Sequence, residues 1–349
     1  MVAGSLWQLE AVDLSGDLIN LFKPVETLLH NYNSRIGISL NLVNRNKRLI
    51  KNAIIEIILE SMSERLEWKL RVNGIGVTKE FKPHISLKLG NRWLHKFIFD
   101  ISSLLNVQHA LSREWFNVNI KYEGGDPFSV KALVFNAIYE DGDASTSIKH
   151  LTGLLRLNLG ENIEVHIPDY IRSDIYDMRM ILEIPRDGRI KLIVGDNETE
   201  ILSNSHGFDE YVYTVNRAHT ENKIRLVYQN SRSPREIPMV VSSIMMFRTR
   251  IKQPRLEIRD LEIVRKENDI WLRLYIVNTG SSIPDRVIYS VFHRGQVICS
   301  FRENIPIKPG EELVKEIYVK GNIRDDITVR VIWSKLTRIW TTERSVKIL

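Results

Sequence analysis

The sequence predicts an all-β chain: three consecutive β-sandwich domains, two jelly-roll-like and the last immunoglobulin-like. Three observations carry this. Apolar residues recur with period two, as in Ile36-Gly37-Ile38-Ser39-Leu40-Asn41-Leu42, the pattern of strands buried on one face. Clusters of Gly, Asn, Asp and Pro punctuate these runs at the spacing of antiparallel sandwiches. The chain has 349 residues, too many for one ordinary core.

Residues 1–35 carry little periodicity. Val25 to His30 follow Pro24 and would suit a short helix, since proline is tolerated in a first turn. A hydrophobic arm packed on another domain or chain fits equally well. Alternation begins at Ile36, and Ala53-Ile54-Ile55-Glu56-Ile57-Ile58-Leu59 is a β-branched run. Further strands are predicted around Trp68–Val72, His95–Asp100, Trp115–Tyr122 and Phe128–Tyr139. The polar stretch Glu140 to Ser147 reads as an exposed linker. A second sandwich is expected over 148–253, with the turn Pro185-Arg186-Asp187-Gly188 ahead of the alternating Arg189–Val194. A third spans 254–349, where Asn278-Thr279-Gly280 and His293-Arg294-Gly295 turn the chain. The first sandwich is thereby 36–147, preceded by an N-terminal arm over 1–35.

Composition sets outer bounds. A hydrophobic share of 43% with 26% charged residues is that of a folded protein. No run reaches the roughly 18–20 apolar residues that span a bilayer. The N-terminus lacks a basic region ahead of an apolar one, so no signal peptide is read there and the cytoplasm is expected. The single Cys299, in an apolar context, permits no internal disulfide and no thiolate-built zinc site. The Ile-rich, Cys-poor composition would suit a thermophile. The net charge is +6, concentrated in the C-terminal third.

Two stretches have counterparts in known families. In the first sandwich, Trp68-Lys69-Leu70-Arg71-Val72-Asn73-Gly74 followed by His95-Lys96-Phe97-Ile98-Phe99-Asp100-Ile101-Ser102 resembles the galactose-binding-like jelly rolls appended to many glycoside hydrolases, over residues 36–140. That resemblance implies a fold, and members bind sugars, other ligands or nothing. Asn73-Gly74 suits a tight turn because both residues accept positive φ, and Asp100 and Ser102 can bond nearby backbone amides. In the third sandwich, Leu274-Tyr275-Ile276-Val277-Asn278-Thr279-Gly280, the Gly295 hairpin and Ile307-Lys308-Pro309-Gly310-Glu311 look like the CARDB class of immunoglobulin-like domains, over residues 255–349. That class implies a spacer or interaction module.

Chemistry-bearing motifs are sparse. The nine histidines form no HExxH or comparable ligand spacing, and no P-loop, GxGxxG or GxSxG occurs. No metal site and no cofactor are therefore expected, and no enzyme activity. Asp196-Asn197-Glu198 has the oxygen ligands of a calcium loop, but a solvated hairpin turn explains it as well. The same holds for Asp169, Asp174 and Asp177. Trp68 and Trp115 open strands, where core packing is the commoner reason for an aromatic. Trp93, flanked by Asn91, Arg92 and His95, is the best candidate for an exposed sugar platform. Two basic segments stand out: Arg45, Lys47 and Arg48 on a loop, and Arg248, Arg250, Lys252 and Arg255 at the second boundary. Either could meet phosphates or an acidic surface, or simply keep a sheet edge solvated.

With no catalytic constellation, the leading expectation is a non-catalytic structural or protein-interaction module, with a protein partner or self-association. Carbohydrate binding through the first jelly roll and nucleic-acid association through the basic segments are the alternatives.

Overall fold

The computed structural model describes residues 3–42, 48–77, 82–107, 110, 113–172, 175–186, 188–202, 207–215, 223–229, 237–266, 269–320 and 326–347. Strand dominates throughout, and the two described helices are single turns, α1 (Ser102–Leu105) and α2 (Asp169–Arg172). No helix among the described residues is long and apolar enough to cross a membrane. The protein is an all-β, multi-sandwich chain that divides into two compact units at Arg250/Ile251.

Among the described residues the first unit holds four sheets, with strands numbered in chain order. One sheet runs β2 (Asp17–Leu29), β10 (Phe128–Tyr139), β4 (Ile50–Ser61), β8 (Arg92–Asp100), β7 (Ile85–Leu89). It faces β3 (Arg35–Asn41), β9 (Trp115–Gly124), β5 (Glu67–Val72) and β6 (Ile75–Gly76) across a core that includes Ile55, Ile57, Trp68, Phe97, Phe116 and Phe135. The second sandwich pairs β1 (Ala3–Ser15), β11 (Ala144–Leu157), β18 (Met239–Ile251), β13 (Tyr176–Glu183) and β16 (Phe208–Val215) with β12 (Asn162–His166), β17 (Lys223–Gln229), β14 (Arg189–Val194) and β15 (Asn197–Leu202). Its core includes Leu157, Met178, Met180, Leu192, Leu226 and Met246.

The two sandwiches also share a core. Ile58, Leu87, Leu94 and Val134 leave the outer face of the β4-containing sheet and pack with Leu154, Ile181, Phe208 and Val240 of the second sandwich. Both faces of β4 are therefore covered, which is why its sequence is a near-continuous apolar run and not an alternating one.

The N-terminal segment departs from expectation. Instead of a short helix or a packed hydrophobic arm, residues 3–29 form two 13-residue strands. Strand β1 pairs antiparallel with β11, from Ala3↔Arg156 to Ser15↔Ser145, and β2 pairs with β10. The chain steps between sheets at Gly16, where a Cβ would sit 2.1 Å from the Tyr139 carbonyl oxygen and φ is +146°. The predicted linker is likewise mostly structured: only Glu140–Asp143 turn the chain, and Ala144 to Ser147 open β11.

The turn predictions at Asn73-Gly74 and Asp100–Ser102 hold in detail. Asn73 and Gly74 take φ of +50° and +84°, the pair of positive values a two-residue hairpin favours. Asp100 Oδ1 accepts from the Ser102 amide at 2.8 Å, and Ser102 Oγ accepts from the Ala53 amide at 2.8 Å.

The described residues of the second unit form a seven-stranded sandwich. A three-stranded sheet, β19 (Leu256–Lys266), β20 (Asp269–Asn278) and β23 (Glu312–Val319), packs on β22 (Gln296–Glu303), β21 (Arg286–His293), β24 (Ile327–Lys335) and β25 (Arg338–Val346). Asn278, read as part of a turn, is a buried hub. Its Nδ2 donates to the Ser282 and Ile307 carbonyls, both at 2.8 Å, and its Oδ1 accepts from the amides of Arg255 and Gly280. Gly280 is required by proximity, since a Cβ there would lie 2.3 Å from both the Arg255 amide nitrogen and the Gln253 carbonyl oxygen.

Candidate functional site

Strand pleat separates the four residues predicted as a sugar platform. On β8, Leu94 and Lys96 point toward the second sandwich, so Trp93, His95 and Phe97 point the other way. Asn91 lies exposed in the β7–β8 hairpin turn. Arg92 turns to the shared interior, where it pairs with Glu60 and, at 3.2 Å, with Glu183. Burial alone would lower the Arg92 pKa, but these two carboxylates raise it above its ordinary value. Trp93 is half-buried, stacked on His95 with an interplanar angle of 8°, and Lys88 Nζ sits 5.4 Å from its ring centre. Trp68 is fully buried, as expected of a core residue, whereas Trp115 is 47% exposed.

His95 is the centre of a small polar cluster. Ser86 Oγ lies 2.9 Å from its Nδ1, while the Ser63 carbonyl oxygen and Ser61 Oγ each lie 3.1 Å from its Nε2. A carbonyl only accepts, so the network assigns the proton to Nε2. Ser61 donates its own proton to the Ser63 carbonyl, leaving a lone pair for the Nε2–H. Nδ1 is then an acceptor and Ser86 the donor. Burial pushes the His95 pKa below its ordinary value, partly offset by the Ser63 carbonyl and the Glu64 charge.

This cluster underlies a cleft of about 580 Å³ formed by the β4–β5 connection and the segment entering β7. Glu64, Arg65, Leu66 and Glu67 line one side, and Lys82, Pro83 and Ser86 the other. The volume lies within the range of small-ligand sites. Among the described lining residues, two carboxylates and two cations balance in charge. A second pocket of about 330 Å³ lies at the β2–β3 turn, bordered by His30, Asn31 and Tyr32, with Tyr32 97% exposed. That turn is pinned by reciprocal backbone bonds between His30 and Asn33, both 3.1 Å.

Between the two sandwiches lies a charged layer with no forecast in the sequence motifs. Glu56 on β4 and Lys96 on β8 are both fully buried and 2.6 Å apart. Lys96 Nζ also donates to the Ser242 carbonyl and hydroxyl at 2.7 and 2.9 Å. Glu56 further meets His150 Nε2 at 3.1 Å and accepts from Thr152 Oγ1 at 3.0 Å. Burial would raise the Glu56 pKa, yet Lys96 and His150 hold it far below the usual carboxylate range. Burial lowers that of Lys96, with Glu56 opposing. The signal was a single Glu within an otherwise apolar strand.

Arg48 pairs with Asp141 at 2.7 Å, and Arg255 with Glu257 at 3.0 Å. Arg248 reaches Ser147 Oγ at 3.4 Å. Arg250 is exposed at the end of β18, and Lys252 lies in the connection beyond it. Arg45, Lys47 and Asp174 lie outside the described residues. Gly195 and Asp196 form the β14–β15 hairpin turn, Asn197 opens β15 opposite Val194, and Glu198 pairs with Lys191.

No family model and no curated protein sequence matches this chain. Among solved structures it is similar to a Parabacteroides merdae β-glucuronidase (13% identity, TM-score 0.25), over 56% of this chain and 28% of that one. A putative β-galactosidase from Bacteroides fragilis (9%, 0.23) covers 56% and 32%, and a Ruminococcus gnavus β-glucuronidase (11%, 0.21) covers 58% and 35%. The chain thus spans about a third of the length of each. These are glycoside hydrolases, and that finding corrects the leading expectation of a structural or protein-interaction module. At such identities and scores it assigns no activity or substrate, and the CARDB resemblance of the second unit gains no support from it.

Proposed function

We propose that the first unit has a carbohydrate-related role and takes a neutral saccharide in the cleft above His95. The observation that carries this is the charge balance among the described lining residues, Glu64 and Glu67 against Arg65 and Lys82, around a volume of about 580 Å³. An anionic ligand such as a phosphate would meet two carboxylates, and a cationic one two cations. A polyhydroxylated ring needs both acceptors and donors, because each hydroxyl gives and accepts a hydrogen bond. Pro83 offers an apolar edge for the ring's C–H face.

The test is isothermal titration of neutral oligosaccharides, with charged sugars alongside. Binding weakened at least tenfold by Glu64→Gln or Lys82→Ala supports the reading. No heat with any neutral saccharide at millimolar concentration, or affinity indifferent to both changes, rejects it. The near-complete exposure of Tyr32 favours a second reading, in which the sugar stacks on that ring. Loss of binding in Tyr32→Ala with Lys82→Ala unaffected would select it.

A further inference from the structure

We propose that Ser86 is an activated nucleophile, with His95 as its general base, and that the cleft deacylates O-acylated saccharides. The inference rests on the saccharide reading for its substrate class, but its chemistry stands on separate geometry. A serine nucleophile needs three things: a base within hydrogen-bond reach, a group that orients the base, and access to the reacting atom. Ser86 Oγ donates to His95 Nδ1 at 2.9 Å. The Ser63 carbonyl and Ser61 hydroxyl hold the opposite ring nitrogen, each at 3.1 Å. Were the ring in its other tautomer, the Nε2 lone pair would face the Ser63 carbonyl oxygen, two acceptors in repulsion. The neighbours therefore select the form in which Nδ1 can take a proton.

Access is met from the other side. Ser86 lines the cleft with Arg65 and Lys82, while His95 beneath it is fully buried. Burial favours the neutral imidazole, the form that can take a proton, and Arg65 and Lys82 line the same cleft as Ser86. In the reaction, Ser86 Oγ attacks the ester carbonyl carbon as its proton passes to His95 Nδ1. The carbonyl carbon–sugar oxygen bond then breaks, and the departing sugar oxygen takes that proton. Water repeats the sequence on the acyl-serine, giving a carboxylic acid and regenerating the hydroxyl. A structural serine on a sheet edge needs neither the oriented tautomer nor the cleft.

The test is covalent labelling of the full chain with a biotinylated fluorophosphonate, read by intact mass and peptide mapping. A serine without a positioned base does not react. One adduct on Ser86 is expected, absent in Ser86→Ala and slowed at least tenfold in His95→Gln. Circular dichroism confirms that each variant is folded. No adduct on the wild-type chain overturns the proposal, whatever the fate of the His95 variant. So does labelling of Ser86 at an undiminished rate in folded His95→Gln. Saccharide titration on the same samples separates the two readings. Labelling without sugar binding removes the substrate class alone, and sugar binding without labelling removes the nucleophile alone.

Discussion

Replacing Glu56 by Gln removes the counter-charge of a lysine that has no route to water. Glu56 and Lys96 are both 0% exposed. In the variant, Lys96 Nζ keeps only the Ser242 carbonyl and hydroxyl at 2.7 and 2.9 Å. Removing one member of a buried ion pair typically costs about 3–5 kcal/mol, because the other charge stays desolvated. Lys96→Met removes the cation but leaves Glu56 against His150 Nε2 at 3.1 Å and the Thr152 hydroxyl at 3.0 Å, and should cost about 3 kcal/mol, the lower end of that range. The double variant leaves neither member of the pair as an unpaired charge. Its glutamine side chain still presents an amide oxygen to the Thr152 hydroxyl, so a loss of about 1–2 kcal/mol is expected. The cycle therefore predicts strong coupling: the double change is milder than either single one. Hydrogen exchange in increasing urea reads the β4, β8, β11 and β18 amides apart from those of the second unit, which avoids assuming one transition for the whole chain. In thermal scans the single variants should lose roughly 6–20 °C, at about 2–4 °C per kcal/mol for a unit of this size. Single changes within about 1 kcal/mol of wild type, or a double change equal to their sum, would refute the reasoning.

Three further outcomes follow from the same contacts. His95 has a folded pKa below its ordinary 6.5 and Glu56 one below its ordinary 4.5. In each case the unfolded chain binds the proton first, so the contribution of these two groups to first-unit stability should be complete above pH 6.5, fall as pH drops through that value, and fall again below 4.5. Urea midpoints measured against pH should lose the upper limb in His95→Gln and keep the lower one; a limb unchanged in that variant contradicts the assignment. Asn278→Ala removes four hydrogen bonds from a fully buried amide, and should cost the second unit about 3–5 kcal/mol in calorimetry, at about 1 kcal/mol or more per bond. An unshifted second-unit transition would show that water replaces the amide. Trp68→Ala empties the centre of the first core, where the ring meets Phe97 edge-on at 4.7 Å, and should cost about 3–5 kcal/mol without changing sugar titration if the chain stays folded.

The fold was legible wherever one face of a strand meets solvent. Trp115–Gly124 alternates in burial as it does in sequence, and the hairpin at Asn73-Gly74 carries the positive φ angles its residues favour, as Gly295 does in the hairpin after Arg294. It was illegible where tertiary context decides. Asp17–Leu29 contains Pro24 and reads as a helix start, yet pairing with β10 fixes it as a strand, and the register shifts between Val130 and Ala132, opposite that region. Proline is accepted there because β2 is an edge strand of its sheet. The candidate site shows the same division. His95 and Trp93 are neighbours in sequence and stack in space, but Arg92 leaves for the opposite face, which adjacency in sequence cannot distinguish without knowing which face is the core.

The charged residues that mattered most were visible as exceptions to a pattern. A strand with one solvated face places polar residues at every second position, so a lone Glu in Ala53-Ile54-Ile55-Glu56-Ile57-Ile58-Leu59 cannot mark the wet side. The flanking Ile54 and Ile58 share the pleat face of Glu56 and are both buried. Such a residue must therefore enter a second covered interface, and a buried carboxylate there requires a cation from a facing or adjacent strand. Lys96 meets that requirement from the neighbouring strand, where Glu56 pairs with Ile98 in register, and it sits between buried His95 and Phe97 as a second exception of the same kind. Two charges of opposite sign, each set in an apolar run, are thus a signature of two sandwiches sharing a face. Domains joined only by a linker would have no reason to retain either.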